Sequence, residues 1–368
     1  MRIVYVLTSL GMGGAERQSL ALAERMARRG HTVAILVLRP RLAEEWPTAL
    51  RVLHLEMRKT PFSVLKSLAR GRRFLIEFQP DLLHSHSYHA NIVARLLKVL
   101  VSAPAVLSTV HNVYEGGWLR MLVYRLTDGL SRRTTAVSEA AAHRFVRLKA
   151  VPQHKCVVVA NGIETAEFVP GRERRAHIRE QMGVAGEFVW ITAGRYAQAK
   201  NYPNLLRAFA RVMAVHPHAQ LWVAGESSAA EAERLHNMSA MRGLGNAVRW
   251  LGLCRDMPAL LDAADGFVLA SAWEGMPLAV GEAMAMEKPV VVTDVGGTRE
   301  LVGDAGVIVP SKVSDALAMA MLELMHRTPQ DRHTLGQAAR RRICRDFDIE
   351  TKADEWEALY RPVLERAR

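Results

Sequence analysis

Short apolar runs rich in branched residues alternate with longer amphipathic stretches along the whole chain. Strands are expected at 3–7, 33–38, 82–84, 105–109 and 134–137, with helical spacing of apolar positions at 15–29 and 91–100. A second series of strands is expected at 189–192, 220–224, 248–250, 266–269, 290–293 and 307–309, again separated by helical segments. Strands that are apolar at nearly every position, alternating with helices, specify a parallel sheet covered on both faces. Two doubly wound α/β domains in series follow. Asn161-Gly162 is a strong turn signal near the boundary. The expected domains are 1–165 and 166–346, with 347–368 forming a last helix, from 349 to about 365, that returns to the first domain.

A chain of 368 residues is long enough for two cores. Its composition, 49% hydrophobic and 23% charged, is that of a globular protein. Cys156, Cys254 and Cys344 are far apart in sequence and fit neither a disulfide framework nor a zinc site. The opening MRIVYVLTSLGMGGAER reads as a strand and turn, not as a signal peptide. The most apolar stretch, 91–110, is broken by Arg95, Lys98 and Pro104, so no membrane span is expected. A cytoplasmic protein is the expectation.

The net charge of +12 is carried by one half of the chain. Residues 1–165 hold 24 Lys and Arg against 11 Asp and Glu, a balance of +13, and residues 166–368 hold 25 against 26, a balance of −1. Such asymmetry points to an anionic partner of the first half: nucleic acid, an acidic membrane or a phosphorylated acceptor. No nucleic-acid motif or aromatic platform accompanies it, so nucleic acid is not expected.

Three segments carry candidate chemistry. The first strand runs into Gly11-Met12-Gly13-Gly14-Ala15-Glu16 at the start of a helix. Glycines there allow close approach of a phosphate to backbone N–H groups, although a tight turn alone would account for them. In 193–201, Arg195 and Lys200 stand five residues apart after a buried strand, suited to clamping a diphosphate or to a solvated loop. In 272–283, Glu274 falls on a loop, Pro277 suits the first turn of a helix and Glu282 lies within that helix. A carboxylate in such apolar company needs a partner.

Together these segments resemble the retaining glycosyltransferases of family four, which have the GT-B fold of two Rossmann-like domains facing across a cleft. The resemblance spans nearly the whole chain. It rests on GGAER, DLLHSHSYHAN (81–91), STVHN (108–112), AVSEA (136–140), VANGIE (159–164), GRYAQAKN, WVAGE (222–226) and TDVGGTREL (293–301), with the pair Glu274 and Glu282 as its most specific element. It implies that Arg195 and Lys200 neutralise the donor diphosphate and that Glu282 binds ribose hydroxyls. It implies also that Glu274 contacts the transferred sugar, with Gly275, Met276, Pro277 and Leu278 touching sugar and phosphate. Gly13 and Gly14 would close over the phosphate, and His111 would lie near the reacting sugar. The family needs no metal or cofactor, so His84, His86 and His89 are expected to line the site or serve structure. Retention without an evident covalent nucleophile implies front-face attack.

The donor is expected to be a nucleotide-diphosphate sugar, uridine before guanosine, and the acceptor a glycan or lipid-linked precursor of a surface polysaccharide such as lipopolysaccharide. Two acid-free basic segments, 58–73 and 118–126, place apolar residues at helical spacing beside cations and suit an anionic inner-membrane surface. The alternatives are a nucleotide-sugar epimerase of the same fold and a non-catalytic nucleotide-binding subunit.

Overall fold

The structure, a computed structural model, describes residues 1–101, 105–226 and 228–365, so Pro104 and residues 366–368 lie outside the described residues. The chain divides into two compact units, one of Met1–Gly162 with Ile349–Arg368 and one of Ile163–Asp348.

Unit 1 contains β1 (Arg2–Leu7), α1 (Gly14–Arg28), β2 (Thr32–Val37), β3 (Arg51–His54), α2 (Pro61–Phe78), β4 (Leu82–His86), α3 (Tyr88–Leu100), β5 (Ala105–Val110), α4 (Trp118–Thr127), β6 (Arg133–Ala136), α5 (Glu139–Arg147) and β7 (Cys156–Val158). They form a seven-stranded parallel sheet in the order β3-β2-β1-β4-β5-β6-β7. Because β1 is apolar at consecutive positions it serves two cores. Ile3, Tyr5 and Leu7 belong to one, whereas Val4 and Val6 belong to the other with Phe74, Leu75 and Leu97 of α2 and α3. β3 has no counterpart in the expected strands: it is a half-buried edge strand of four residues, too short for a pattern to show.

Unit 2 contains α6 (Arg172–Gln181), β8 (Val189–Ala193), α7 (Tyr202–Val215), β9 (Gln220–Ala224), α8 (Ala229–Ala240), β10 (Val248–Gly252), α9 (Met257–Ala263), β11 (Gly266–Leu269), α10 (Leu278–Ala285), β12 (Val290–Thr293), α11 (Thr298–Val302), β13 (Val307–Val309), α12 (Ser314–His326) and α13 (Pro329–Asp346). Its six parallel strands run β10-β9-β8-β11-β12-β13. Both units are Rossmann-like, as the alternation of strands and helices requires.

The last helix, α14 (Ile349–Glu365), belongs to unit 1. Its packing on α1 is partly ionic: Arg25 meets Glu350 at 2.8 Å and Arg29 meets Asp354 at 2.5 Å. Its inner face buries Trp356 and Tyr360 in the same core as Tyr5. Among the described residues no helix is long and apolar enough to cross a membrane.

Candidate active site

In unit 2 the strand order reverses between neighbouring strands. From β8 the chain steps outward to β9 and β10, and from β11 it steps the other way to β12 and β13. Loops leaving the carboxyl ends of two such strands part from each other and leave a crevice, where open α/β sheets take their ligands. Both charged segments singled out in the sequence leave from this point.

The loop after β8 carries Arg195 and Lys200, and the loop after β11 carries Glu274. The two are stitched together by Ala272 N–H donating to the Ala199 carbonyl at 2.7 Å. Gly194 has φ +152°, and a Cβ there would lie 2.7 Å from Lys200 Cε, so only glycine lets the lysine cross its own loop. The lysine Nζ then donates to Glu274 Oε1 at 2.7 Å. Ser271 Oγ donates to the same oxygen at 2.7 Å. Glu274 is only 8% exposed, and this cation and hydroxyl are what offset its desolvation. Arg195, by contrast, is exposed.

Beyond Glu274 the loop continues through Gly275, whose carbonyl accepts from Gly297 N–H at 2.6 Å, to buried Met276. Pro277 does not fall in the first turn as expected. Its extended backbone (φ −77°, ψ 108°) makes it the N-cap, and the helix begins at Leu278. No side chain caps α10; Val280 N–H donates to the Pro277 carbonyl at 3.2 Å, and the N–H groups of Leu278 and Ala279 keep their capacity for an anion. Glu282, also 8% exposed, stands one turn further along the same helix.

In unit 1 the reversal falls between β1 and β4. Gly13 is the N-cap of α1 and Gly14 its first residue. Glu16 folds back over this turn: it accepts from Ser9 Oγ at 3.0 Å, and a Cβ on Gly13 would lie 2.3 Å from its Oε2. An anion arriving here meets a carboxylate already in place.

β4 ends at His86, and the next residue, Ser87, has φ 71° and ψ 162°, a region that side chains other than glycine's seldom enter. Such strain persists only where the surroundings impose it, and it marks functional turns. Here β4 and β5 bring together two histidines 25 residues apart: His86 Nδ1 lies 2.9 Å from His111 Nε2. Behind them His84 is fully buried, with Nδ1 2.8 Å from Tyr360 Oη and Nε2 2.8 Å from Thr109 Oγ1. Burial pushes His84 and His86 well below the ordinary imidazole value and His111 down to about 4. All three are neutral at neutral pH. His89 lies apart from them, exposed on α3. Among the described residues no group of three or more His, Cys, Asp or Glu is placed to hold a metal ion.

Sequence reasoning passed over one residue of this region. Glu115 is the single acid between Asp81 and Asp128 in an otherwise basic stretch. It is 9% exposed and accepts from His111 N–H at 3.0 Å and from Tyr124 O–H at 2.7 Å. The isolation of that acid was the available signal.

Comparison with known proteins follows this division of the chain. The family described as Glycosyltransferase Family 4 matches residues 12–167, and that described as Glycosyl transferases group 1 matches residues 174–342. The Escherichia coli UDP-Gal:alpha-D-GlcNAc-diphosphoundecaprenol alpha-1,3-galactosyltransferase is 25% identical over 316 residues, covering 80% of this chain and 79% of that protein. Among solved structures, Anabaena Alr3699/HepE in complex with UDP and glucose superposes with a TM-score of 0.87 at 21% identity, covering 98% of this chain and 99% of that one. WaaG, a glycosyltransferase involved in lipopolysaccharide biosynthesis, superposes with a TM-score of 0.76 at 17% identity, covering 96% and 98%.

Proposed function

The chain belongs to the family 4 glycosyltransferases, with the GT-B fold and a nucleotide sugar as donor, and from that premise we propose that it moves a hexose or N-acetylhexosamine from a UDP-sugar to a lipid-linked precursor of a surface polysaccharide, retaining the anomeric configuration and using no metal. The observation that carries the donor seat is the convergence of Lys200, Glu274 and the uncapped start of α10 at the strand reversal of unit 2.

Transfer leaves negative charge on the departing diphosphate. Lys200, Arg195 and the first-turn N–H groups of α10 supply fixed positive potential for it, which lowers the barrier because they need no reorganisation as the charge develops. Gly275 to Leu278 lie alongside sugar and phosphate, Glu274 holds sugar hydroxyls and Glu282 the ribose. With Lys200 already on its carboxylate, Glu274 is oriented before the donor arrives. Within unit 1, His111, kept neutral by burial, is a hydrogen-bonding group suited to sugar hydroxyls, and Gly13 and Gly14 open α1 with backbone suited to a phosphate. The acceptor hydroxyl attacks on the face the diphosphate leaves, and a phosphate oxygen takes its proton.

A lipid-linked acceptor is supported by unit 1. On α4, Trp118, Leu119, Leu122 and Leu126 are exposed, and on α2 so are Phe62 and Leu65. These apolar faces stand among the cations that give residues 1–165 their balance of +13. Apolar anchors ringed by cations suit an anionic bilayer surface. The related galactosyltransferase acts on a sugar joined to diphosphoundecaprenol.

The test is incubation of the protein, in excess chelator, with UDP- and GDP-sugars and polyprenyl-diphosphate-sugar acceptors embedded in anionic vesicles, with product anomers assigned by NMR. Transfer of one sugar from a UDP donor with retained configuration is the expected result. Turnover of the donor to an epimer without acceptor would replace the reading, and dependence on added magnesium would remove its metal-free part.

A further inference from the structure

We propose that Glu115 is a positioning residue that holds His111 at the end of β5, and that it does so as a carboxylate. The inference rests on the reading that His111 faces the transferred sugar.

The carboxylate gathers three elements. His111 N–H, on the loop after β5, donates to Oε1 at 3.0 Å. Tyr124 O–H, from α4, donates to Oε2 at 2.7 Å. Tyr88 N–H, at the start of α3, is a third donor. The turn that follows is shaped for this inward course. Gly116 has φ +122°, and the Arg120 side chain occupies the space where a Cβ would be, with its Cδ 2.4 Å from that position. Arg120 Nη1 donates to the Glu115 carbonyl at 2.8 Å, and its guanidinium lies 4.7 Å from the centre of the Tyr88 ring. His111 is therefore held twice, at its ring by His86 and at its main chain by Glu115.

The polarity of the partners decides the form of the acid. Tyr124 oxygen already accepts from Asn91 Nδ2 at 2.9 Å, and Asn91 Oδ1 in turn accepts from Ser85 Oγ at 2.8 Å. The tyrosine proton is thus free to point at Glu115, and both backbone partners are donors as well. Three donors call for an acceptor with all its lone pairs, and a protonated carboxyl would turn one oxygen into a competing donor. Burial works against this and raises the Glu115 pKa to about 7, with Tyr124, the His111 N–H, Arg120 and the Tyr88 N–H pulling it down. The groups facing it are Tyr88 from α3, Tyr124 and Arg120 from α4, and His111, whose own pKa of about 4 keeps it out of this range. The clamp is complete above the Glu115 pKa and loosened below it.

The experiment pairs kinetics with a structural signal on the full chain. Sugar transfer by the wild type and by Glu115→Gln is measured from pH 5.5 to 8.5, and the His111 amide proton is followed in protein labelled with 15N-histidine. The wild-type kcat/KM should rise through about pH 7, with the His111 amide moving downfield at the same midpoint as a charge-assisted bond forms. Glu115→Gln has the shape of the acid without its charge. It should match the wild type at pH 6, show no inflection, and fall short by about tenfold at pH 8, the worth of one charge-assisted hydrogen bond. A His111 amide that does not titrate near 7, or an inflection that survives in Glu115→Gln, would overturn the proposal. If the amide titrates while activity is flat and His111→Ala is fully active, the clamp exists but His111 does not serve the sugar, and the positioning role falls with that reading.

Discussion

At the strand reversal of unit 2 the polar groups are ions, Lys200 against Glu274 with Arg195 exposed nearby, whereas in unit 1 β4 and the loop after β5 present imidazoles whose burial keeps them uncharged. The two sheets share a topology and differ in what their strand ends present. Charge suits a seat for a diphosphate, where the ligand brings the opposite sign and preorganised cations act most strongly. Neutral donors and acceptors suit a sugar, whose hydroxyls gain from hydrogen bonds and not from net charge. The same fold thus yields two kinds of surface through the residues that follow each strand.

The largest effect that separates them is on rate. Lys200→Ala removes a cation from the developing charge and should lower kcat by about 10²- to 10³-fold. Tenfold or less would make Lys200 a mere support for Glu274, and unit 2 would lose its distinction as the charged half.

The second contrast is with acid, and its sign follows from the direction of the shifts. The His111 folded-state pKa is about 4 against an unfolded value of 6.5, and His84 and His86 are lowered as well. Between these limits the unfolded chain binds more protons, so stability is full above about 6.5 and is lost as pH falls towards 4. For His111 alone the loss is at most about 3 kcal/mol. Melting followed through Trp356, which packs against His84 with ring centres 4.6 Å apart, should therefore shift downward across this window. A midpoint that does not move between pH 6.5 and 4.5 would mean that the imidazoles are not kept neutral.

Much of this was legible in the sequence, and what was not has a physical reason. Consecutive apolar positions such as Val290–Thr293 betray strands buried on both faces, so both sheets could be anticipated. β3 could not, because an edge strand of four half-buried residues has no pattern of its own. The family resemblance picked out Lys200 and Glu274, but no spacing states that residues 74 apart share a hydrogen bond; that follows from β8 and β11 being neighbours. Likewise His86 and His111 meet only because β4 pairs with β5. Glu115 belongs to none of the motifs, and its burial depends on a turn whose course the sequence does not declare.

Calorimetric titration of UDP and GDP, in chelator, against the wild type and against Arg195→Ala and Lys200→Ala tests the central claim most directly. The account predicts that UDP binds the wild type without metal and that each substitution weakens it by about tenfold or more, the loss of one charge-assisted contact. Unchanged affinity in both variants would contradict it, because the diphosphate would then have to sit away from the strand reversal of unit 2.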